Sequence, residues 1–361
     1  MQKSIAYRPE KNKQKSASIL RRIATQTGFS LSTITKVLRG DGDRYGIMAE
    51  TQRTINAEAK RLGYISNFFA RSLRRGHSGL VILLAYTSNY SVRVQRQNLV
   101  TQELRRQGVK VLTIDLSLPI GMNMKDTLSE VESFAPAGLL IAEVIDEETR
   151  RWINNLLRRG VPVVAMDHVE KLPVDQVYVN REMVGYLPAR HLLELGHRQL
   201  LYVLPSSAAS IIEDRRRGFQ RALREAGVRF SSKNLCLFSR ASSHCEAGYL
   251  ASAPVKWRRE GFTGVMTLSD QTALGVMRAC YEQNVKIPED LSLVGSEDWP
   301  PAACFPVPLT TVNWKLETLT SVAADWLVER LGGAGGAPRK KVIDPVLVPG
   351  RSSASPREVN R

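Results

Sequence analysis

Apolar residues recur with two different periods along the chain. Between residues 20 and 62 they lie three or four positions apart, which is the spacing of one buried helical face. The first two faces comprise Leu20, Ile23 and Ala24, and then Ile34, Val37 and Leu38. Gly28 marks a turn between them, so the pattern predicts a helix-turn-helix, with an ordinary helical hairpin as the alternative. A third helix, with Ile55 and Ala59 on its apolar face, is expected to end at Gly63.

The start of the second predicted helix has the residues of a capped helix end. Ser30 directly precedes the periodic run, and its hydroxyl is placed to accept a hydrogen bond from the backbone N–H of Thr33. Leu31, Ser32 and Thr33 would then lie at an exposed helix start, which is where a recognition helix meets base edges in a major groove. Lys36, one turn further on, would reach a base or a phosphate.

Positive charge is concentrated in the same segment. The chain has a net charge of +16, and its first 78 residues contain 16 Lys or Arg against 5 Asp or Glu. Arg39, at the end of the second predicted helix, suits a phosphate contact. Because the apolar positions form a packed three-helix pattern, a phosphate-binding head is favoured over a membrane-surface helix. Residues 1–15 are expected to be a disordered basic arm, with Ser16 or Ser18 as the first helix cap.

From residue 80 onwards, short apolar runs alternate with helical patterns. Strands are expected at residues 80–85, 109–116, 138–144, 161–166, 177–179, 199–204, 235–238, 264–268, 291–294, 309–312 and 346–348. Repeated strand–helix units imply parallel sheets with helices on both faces, and a second series starts near Gln176. Two such sheets in tandem place their strand ends at a shared cleft, where a small ligand would bind.

Several motifs together carry a family resemblance. They are A-x-x-x-G-F-S-x-x-T-I-T-K-V-L (24–38), L-G-Y-I-x-N-x-x-A-R-S-L (62–73), LLELGH (192–197), RRGF (216–219), SDQTALGVMRA (269–279), VKIPEDLSLVG (285–295) and PLTTVNW (308–314). In this order, over nearly the whole chain, they resemble the LacI/GalR family of bacterial transcription regulators. The resemblance implies an N-terminal all-α helix-turn-helix head and hinge helix, followed by an α/β periplasmic-binding-protein-like domain of two doubly wound parallel-sheet subdomains.

The resemblance also implies a domain plan. The helix-turn-helix domain would span residues 16–63, the hinge 64–78 and the effector-binding and dimerisation domain 79–354, with a tail at 355–361. Subdomain 1 would comprise residues of about 79–174 and 309–331, and subdomain 2 residues of about 175–308 and 339–354. No heptad pattern follows residue 351, so a dimer is expected.

In the family, the hinge forms a helix on DNA and inserts a leucine into a minor-groove base step. Carried over, Leu73 is the wedge, Ala70 the small residue at the close helix contact, Asn67 the start of the hinge, and Arg71 a further DNA contact. The alternative is an amphipathic linker helix with Leu73 in a core. Ser66 stands where the family usually has Pro, which is one departure from the pattern.

The resemblance places five effector-binding candidates at strand ends. Arg215 would clamp the ligand, unless it is merely one of three exposed arginines. Ser269 and Asp270 would present a hydroxyl and a carboxylate, with helix capping as the alternative for Asp270. Glu297 replaces the family's usual Asp, and Trp299 would stack on a sugar ring or simply pack. These departures from the family pattern indicate an altered pocket.

The expected function is a sequence-specific DNA-binding regulator, a repressor by expectation, that responds to a small molecule. The resemblance favours a sugar or sugar derivative, then a purine or nucleoside, bound by a homodimer on a pseudo-palindromic operator. The alternative is a cytoplasmic solute-binding module without specific DNA binding. Enzyme motifs, cofactor motifs and metal-ligand spacings are absent, and no apolar targeting or membrane-spanning run is present, so a cytoplasmic non-enzyme is expected.

Overall fold

The computed structural model describes residues 10–64, 78–86, 91–116, 123–142, 145–207, 209–239 and 243–357. The chain forms two compact units, Met1–Ser78 and Gly79–Arg361. The helices are α1 (Glu10–Thr27), α2 (Leu31–Leu38), α3 (Ala49–Arg61), α4 (Ser91–Arg106), α5 (Met124–Ser133), α6 (Glu147–Arg158), α7 (Arg181–Glu194), α8 (Ser210–Glu225), α9 (His244–Ser252), α10 (Trp257–Glu260), α11 (Asp270–Glu282) and α12 (Leu316–Leu331). The strands are β1 (Leu80–Ala85), β2 (Lys110–Asp115), β3 (Gly138–Ile141), β4 (Val163–Ala165), β5 (Asp175–Val179), β6 (Leu200–Pro205), β7 (Leu235–Phe238), β8 (Gly264–Thr267), β9 (Ser292–Val294), β10 (Thr311–Asn313), β11 (Lys340–Ile343) and β12 (Val346–Val348).

The first unit contains a three-helix head. Its buried core comprises Ile23 of α1, Ile34 and Val37 of α2, and Ile55 and Ala59 of α3. Gly28 lies between α1 and α2 with a φ of 72°, a conformation that glycine adopts without steric cost, and so allows the tight turn. The predicted helix-turn-helix and third helix are therefore confirmed.

One expectation for the head is wrong. α1 begins at Glu10 rather than at Ser16 or Ser18, so residues 10–15 are helical and do not belong to a disordered arm. Their Glu, Lys and Gln residues are good helix formers, and the helix therefore extends beyond its apolar face. The remainder of the expected arm, residues 1–9, lies outside the described residues, as does most of the expected hinge.

The second unit begins with a parallel sheet of six strands, in the order β11-β5-β4-β3-β1-β2. Apolar side chains of α4 and α12 pack on one face of this sheet, and those of α5 and α6 pack on the other. We call this sheet and its four helices the first lobe. β1 is buried along nearly its whole length, as its continuous apolar run predicts.

A second parallel sheet has four strands, in the order β7-β6-β8-β9. α7 and α8 pack on one face, and α11 packs on the other. We call this sheet with α7, α8, α9 and α11 the second lobe. The predicted pair of doubly wound parallel sheets is thus confirmed.

The assignment of strands to the two lobes differs from expectation in three places. The sequence order predicts β5 in the second subdomain, but β5 pairs with β4 in the first sheet. β11, which the pattern does not predict, pairs with β5, so residues 340–343 also belong to the first lobe. The strand expected to return to the first subdomain is β10, which instead pairs with β12 in a separate antiparallel ribbon. A sequence pattern locates strands but does not fix their neighbours, because the chain crosses between the lobes several times.

Across the described residues, no helix combines the length and the apolar character that crossing a bilayer requires. The four cysteines are all free thiols. Cys280 is buried and Cys236 and Cys245 are half-buried, whereas Cys304 is exposed.

Candidate functional site

The head presents the start of α2 to solvent. The Ser30 hydroxyl accepts a hydrogen bond from the Thr33 backbone N–H at 3.1 Å, which confirms the predicted N-cap. The same hydroxyl also bonds the Thr33 hydroxyl at 2.9 Å, so the cap fixes that side chain as well. Leu31 is 45% exposed and Ser32 is exposed beside it. This end of α2 therefore offers an apolar group and a hydroxyl, a combination that suits the methyl groups and polar edges of bases.

Cationic side chains flank this surface. Lys36 places its Nζ 4.2 Å from the ring centre of Tyr45, a cation–π contact that the sequence pattern did not reveal. Arg39 is exposed at the C-terminal end of α2. Further exposed arginines of the head are Arg21, Arg22, Arg44, Arg53 and Arg61, of which Arg61 pairs with Glu58. The head thus has the charge distribution of a phosphate-binding surface. The hinge candidates Asn67, Ala70, Arg71 and Leu73 lie outside the described residues.

The second unit contains a cavity of about 530 Å³ between its two lobes. Residues just beyond the carboxyl ends of strands in both sheets line it, including Asp167 after β4, Ser206 after β6 and Leu268 after β8. Parallel α/β sheets bind ligands at this edge, because the loops there converge. The volume is that of a typical small-molecule pocket.

Two of the five predicted effector-binding residues line this cavity, and three do not. Arg215 and Glu297 contribute to its wall. Ser269 is fully buried as the N-cap of α11, where its hydroxyl accepts from the Thr272 N–H at 3.1 Å. Trp299 packs edge-on against the Phe305 ring with the ring centres 6.2 Å apart, in agreement with the packing alternative.

Asp270 has a structural role that the sequence did not predict. Its carboxylate accepts from the Thr311 hydroxyl at 2.6 Å and from the Trp299 N–H at 2.7 Å. The side chain is fully buried and ties the start of α11 to β10. Neither ligand binding nor capping, the two roles considered for Asp270, describes these contacts.

Arg215 lies on α8 and is only 4% exposed. Its Nη1 donates to the Leu268 carbonyl at 2.7 Å, and its guanidinium carbon lies 4.8 Å from the centre of the Trp314 ring. Its Nε is buried without a hydrogen-bond partner in the described part of the chain. The alternative that Arg215 is one of three exposed arginines is therefore wrong.

The backbone conformation at Glu297 is unusual. Its φ is 136°, in a region that non-glycine residues rarely adopt, and its backbone N–H donates to the Val312 carbonyl at 2.9 Å. The residue is 5% exposed and lines the cavity. Strained backbone of this kind concentrates at functional sites, where surrounding contacts hold it in place.

Sequence reasoning missed four residues of the cavity wall: Arg93, Arg96, Asp167 and His244. Arg181, where the family commonly has a different residue, lines the cavity as well. Arg181 donates to the Asp167 carboxylate, and both side chains are less than 10% exposed. His244 bonds the Ser269 hydroxyl through Nδ1 at 3.1 Å. A charged residue within a helical pattern looks like part of a solvated face, so only the tertiary fold identifies these residues.

The cavity wall is supported by close helix packing. A β-carbon at Gly218 would lie 1.9 Å from the Glu182 carbonyl oxygen, and one at Gly185 would lie 1.9 Å from the Arg215 carbonyl oxygen. α7 and α8 therefore pack with their backbones in contact, because these glycines lack side chains. This packing fixes the position from which Arg215 projects.

No group of three or more His, Cys, Asp or Glu side chains among the described residues could hold a metal ion. The cavity between the two lobes, with its charged, hydroxyl and aromatic side chains, is suited to binding a small molecule.

Residues 189–353 match the family model described as a periplasmic binding protein-like domain. The HTH-type transcriptional regulator reg1 of Streptomyces lividans is 27% identical over 339 residues, which cover 92% of this chain and 96% of that protein. Relatives of this class and solved LacI-family repressors together bear out the family resemblance. The chain is therefore similar to regulators of the LacI/GalR family over nearly its whole length.

Solved structures agree with this fold. The Lac repressor dimer bound to operator and the anti-inducer ONPF has a TM-score of 0.74 at 21% identity, covering 92% of this chain and 98% of that one. The regulator in the CelR–cellobiose complex has a TM-score of 0.67 at 20% identity, with coverages of 92% and 99%. This chain thus shares their fold, and the relatives that it resembles along its length are HTH-type transcriptional regulators and repressors.

Proposed function

We propose that this protein is a homodimeric repressor of the LacI/GalR family whose affinity for a pseudo-palindromic operator is set by a sugar or sugar derivative in the interlobe cavity. The supporting observation is that one chain carries both a basic head with a capped, exposed α2 and a two-lobed unit with a cavity of about 530 Å³. The Lac repressor bound to operator and the CelR–cellobiose complex favour the same combination. A regulator must reach the chromosome, so we infer a cytoplasmic location.

In this proposal, the N-terminal end of α2 enters the major groove of each half-site. Leu31, Ser32 and Thr33 supply base choice, because they lie at the helix end that faces base edges. Ser30 orients that end, while Lys36 and Arg39 contribute cationic contacts to phosphate or to a base. The phosphate contacts give salt-dependent affinity, since binding releases counterions.

The hinge would couple the head to the cavity. Asn67, Ala70, Arg71 and Leu73 carry the family's hinge pattern, in which an apolar wedge kinks the DNA from the minor groove. A ligand that closes the two lobes would change the separation of the two hinges in a dimer and so bias their pairing. That is coupling through an element with two states.

The competing function is a solute-binding module without specific DNA binding. It predicts that the full chain binds a small molecule but enriches no DNA sequence. Under that alternative, Leu73→Gly would leave the weak, salt-sensitive DNA affinity unchanged, whereas we expect the substitution to abolish tight binding.

The test is selection of bound sites from a random duplex library with the full chain. The enriched duplex is then titrated by fluorescence anisotropy at two salt concentrations, with and without pooled sugars. We expect a palindrome with half-sites about 10 base pairs apart, bound less tightly at high salt and altered by one sugar pool. A library with no enriched sequence would contradict the proposed regulator.

Two matched leucine variants test whether Leu31 contributes to base recognition or whether any loss of an exposed leucine impairs DNA binding. Leu31→Ala in α2 should change the enriched sequence or remove it. Leu250→Ala changes a leucine of the second unit that is 56% exposed, compared with 45% for Leu31, and should leave the selected site as it was. The same loss in both variants would indicate damage to the fold rather than to base recognition.

A further inference from the structure

The polar face of α2 continues beyond the end of the helix. Lys36 lies four positions after Ser32 and three before Arg39, so these side chains share one helical face. The chain then enters the turn of residues 40–46, which brings Tyr45 beside Lys36. The lysine Nζ lies 4.2 Å from the centre of the tyrosine ring. This face of the head therefore ends on a residue that does not belong to α2.

Contacts with α3 and within the 40–46 turn hold Tyr45 in place. Its backbone N–H donates to the carbonyls of Asp41 and Gly42, both at 3.2 Å. The Gln52 side chain, on α3, donates to the Asp43 carboxylate at 2.8 Å. Gly42 is buried against the same amide, because a β-carbon at Gly42 would lie 2.4 Å from the Gln52 side chain. The position of the ring is thus set by the packing of the head.

The ring orients the Lys36 ammonium without neutralising it. A carboxylate partner would cancel the charge, whereas an aromatic face attracts a cation and leaves its N–H donors available. Lys36 forms no ion pair with the described residues, although Asp41 and Asp43 belong to the neighbouring turn. A long lysine stem that is held before binding loses less conformational entropy when it binds. The contact therefore prepares Lys36 for a partner that it has not yet met.

This arrangement is open to an approaching molecule. Tyr45 is 54% exposed, and Arg44 beside it is exposed as well. The Tyr45 hydroxyl makes no hydrogen bond to a described residue. The ring thus holds the ammonium at the surface of the head, next to the side chains of α2 that the proposed function assigns to DNA.

Orientation matters more for a contact with a base than for one with a phosphate. An ammonium acts on a phosphate as a point charge, so many directions of approach serve equally well. An acceptor on a base edge, such as a purine N7, has one fixed position in the major groove. A lysine whose direction is fixed by a ring therefore fits base recognition better than phosphate binding.

We propose that Tyr45 is a positioning residue for sequence recognition, whose ring directs the charged Lys36 ammonium at a base edge in the major groove. The 40–46 turn, which carries the ring, is then a part of the DNA interface. This inference rests on the proposed function, because it requires that α2 enters the groove. Tyr45 acts through Lys36, so its removal should weaken the choice of base that Lys36 makes.

The experiment compares the wild type, Lys36→Gln, Tyr45→Leu and the double variant, each as the full chain. Sites are selected from a random duplex library, and the wild-type site is titrated by fluorescence anisotropy. One base pair of each half-site should lose its preference in Lys36→Gln and show a weaker preference in Tyr45→Leu. We expect Tyr45→Leu to reduce affinity about twofold to fivefold, as loss of an exposed cation–π contact does.

The double variant tests whether the two side chains act together. In the Lys36→Gln background, Tyr45→Leu should change affinity little, because both substitutions remove the same contact. Tyr45→Phe keeps the aromatic face and should retain the wild-type site and affinity. Tyr281→Leu is the matched control, since Tyr281 is 83% exposed in the second unit, and it should also bind like the wild type. Thermal unfolding of every variant shows whether the head remains folded.

A modified duplex tests the base contact chemically. The purine of the base pair that depends on Lys36 is replaced by its 7-deaza analogue, which lacks the N7 acceptor. The wild type should bind this duplex roughly tenfold more weakly, the effect of losing a hydrogen bond to a charged group. Lys36→Gln should bind the modified and unmodified duplexes equally.

The outcomes separate this inference from the proposed function. Additive losses in the double variant, a Tyr45→Phe variant as weak as Tyr45→Leu, or an equal loss by Tyr45→Leu on every duplex would each overturn the positioning role. A Lys36→Gln variant that keeps the selected site and reduces the salt slope by about 1 would assign Lys36 to a phosphate and overturn it too. In all these cases the regulator stands. A wild type that selects no site would reject the proposed function together with this inference.

Discussion

The Ser30 hydroxyl satisfies a backbone donor that the start of α2 would otherwise leave without a partner. We expect Ser30→Ala to lower the free energy of unfolding of the head by about 1 kcal/mol. Thermal unfolding followed by far-ultraviolet circular dichroism would measure this loss. Ser32→Ala is the control, since the Ser32 hydroxyl makes no hydrogen bond to the described residues, and it should change stability by less than about 0.5 kcal/mol. Equal losses would show that the cap does not stabilise the helix.

Asp270 makes stability depend on pH. Burial raises its pKa to about 6, despite hydrogen bonds from Thr311 and Trp299 that lower it. Between the unfolded value of about 3.9 and the folded value, the folded state binds the extra proton, so stability falls as pH rises through that window. Above the folded pKa the carboxyl group is ionised in both the folded and the unfolded state, so it no longer makes stability depend on pH.

The corresponding prediction compares the wild type with Asp270→Asn. As pH rises through that window, the free energy of unfolding of the wild type should fall by up to about 3 kcal/mol relative to that of the variant. The reason is that the aspartic acid titrates in this range and the asparagine does not. Urea unfolding at a series of pH values gives this difference directly. Parallel pH profiles for the two proteins would mean that Asp270 does not carry the effect.

Single residues of the site were predictable only where a motif fixed them. Arg215 and Glu297 follow recognisable strand-to-helix junctions, and both line the cavity. Asp270 also follows a well-predicted strand, but its carboxylate accepts a hydrogen bond from Thr311 and does not line the cavity. Thr311 lies on a strand that is distant in sequence, so the local pattern around Asp270 could not predict this contact. Arg96 and His244 have no local signal, since a helix start looks the same whether it faces solvent or a cavity.

At the scale of elements, the contact between α7 and α8 has little room to adjust. A β-carbon at Gly218 would overlap the carbonyl of Glu182, and both groups belong to helix backbones. We expect Gly218→Ala to cost about 1 to 3 kcal/mol, as overpacking of a core usually does. Urea unfolding would measure the loss, and ligand titration would test whether Arg215, on the same helix, is displaced as well.

Gly335→Ala provides the matched control for this prediction. A β-carbon there would meet nothing within 4 Å, and Gly335 is not among the residues with positive φ. The substitution should leave both stability and ligand affinity close to wild type. A comparable loss in the two variants would show that a general effect of alanine, rather than helix contact, is responsible.

Elements with a clear pattern of apolar residues were predicted well, and elements without such a pattern were missed. β1 and β12 have the expected bounds, because each is a continuous apolar run. α9, HCEAGYLAS, was missed since its core contact is made through Gly248, whose β-carbon would lie 2.2 Å from the Thr272 carbonyl. β11 was missed because it is a short, largely exposed edge strand that follows a glycine-rich run.

For the whole molecule, the charge of the head predicts how DNA binding responds to salt. Arg39→Gln should reduce the slope of log affinity against log salt by about 1, as removal of one phosphate contact does. Leu31→Ala should keep the slope and change the preferred sequence, because its side chain carries no charge. Anisotropy titrations over a range of salt concentrations test both. A changed slope for Leu31→Ala would contradict the division between phosphate and base contacts.

The exposed Cys304 gives the protein a built-in point for chemical labelling. Thiolates are the reactive form of cysteine, and burial raises the pKa of Cys236 to about 11 and that of Cys280 to about 12, while it also raises the pKa of Cys245. A maleimide dye should therefore attach first at Cys304, seven residues beyond Glu297 of the cavity wall. Movement of the lobes on ligand addition can then be followed by fluorescence in the native sequence, with every other cysteine left in place.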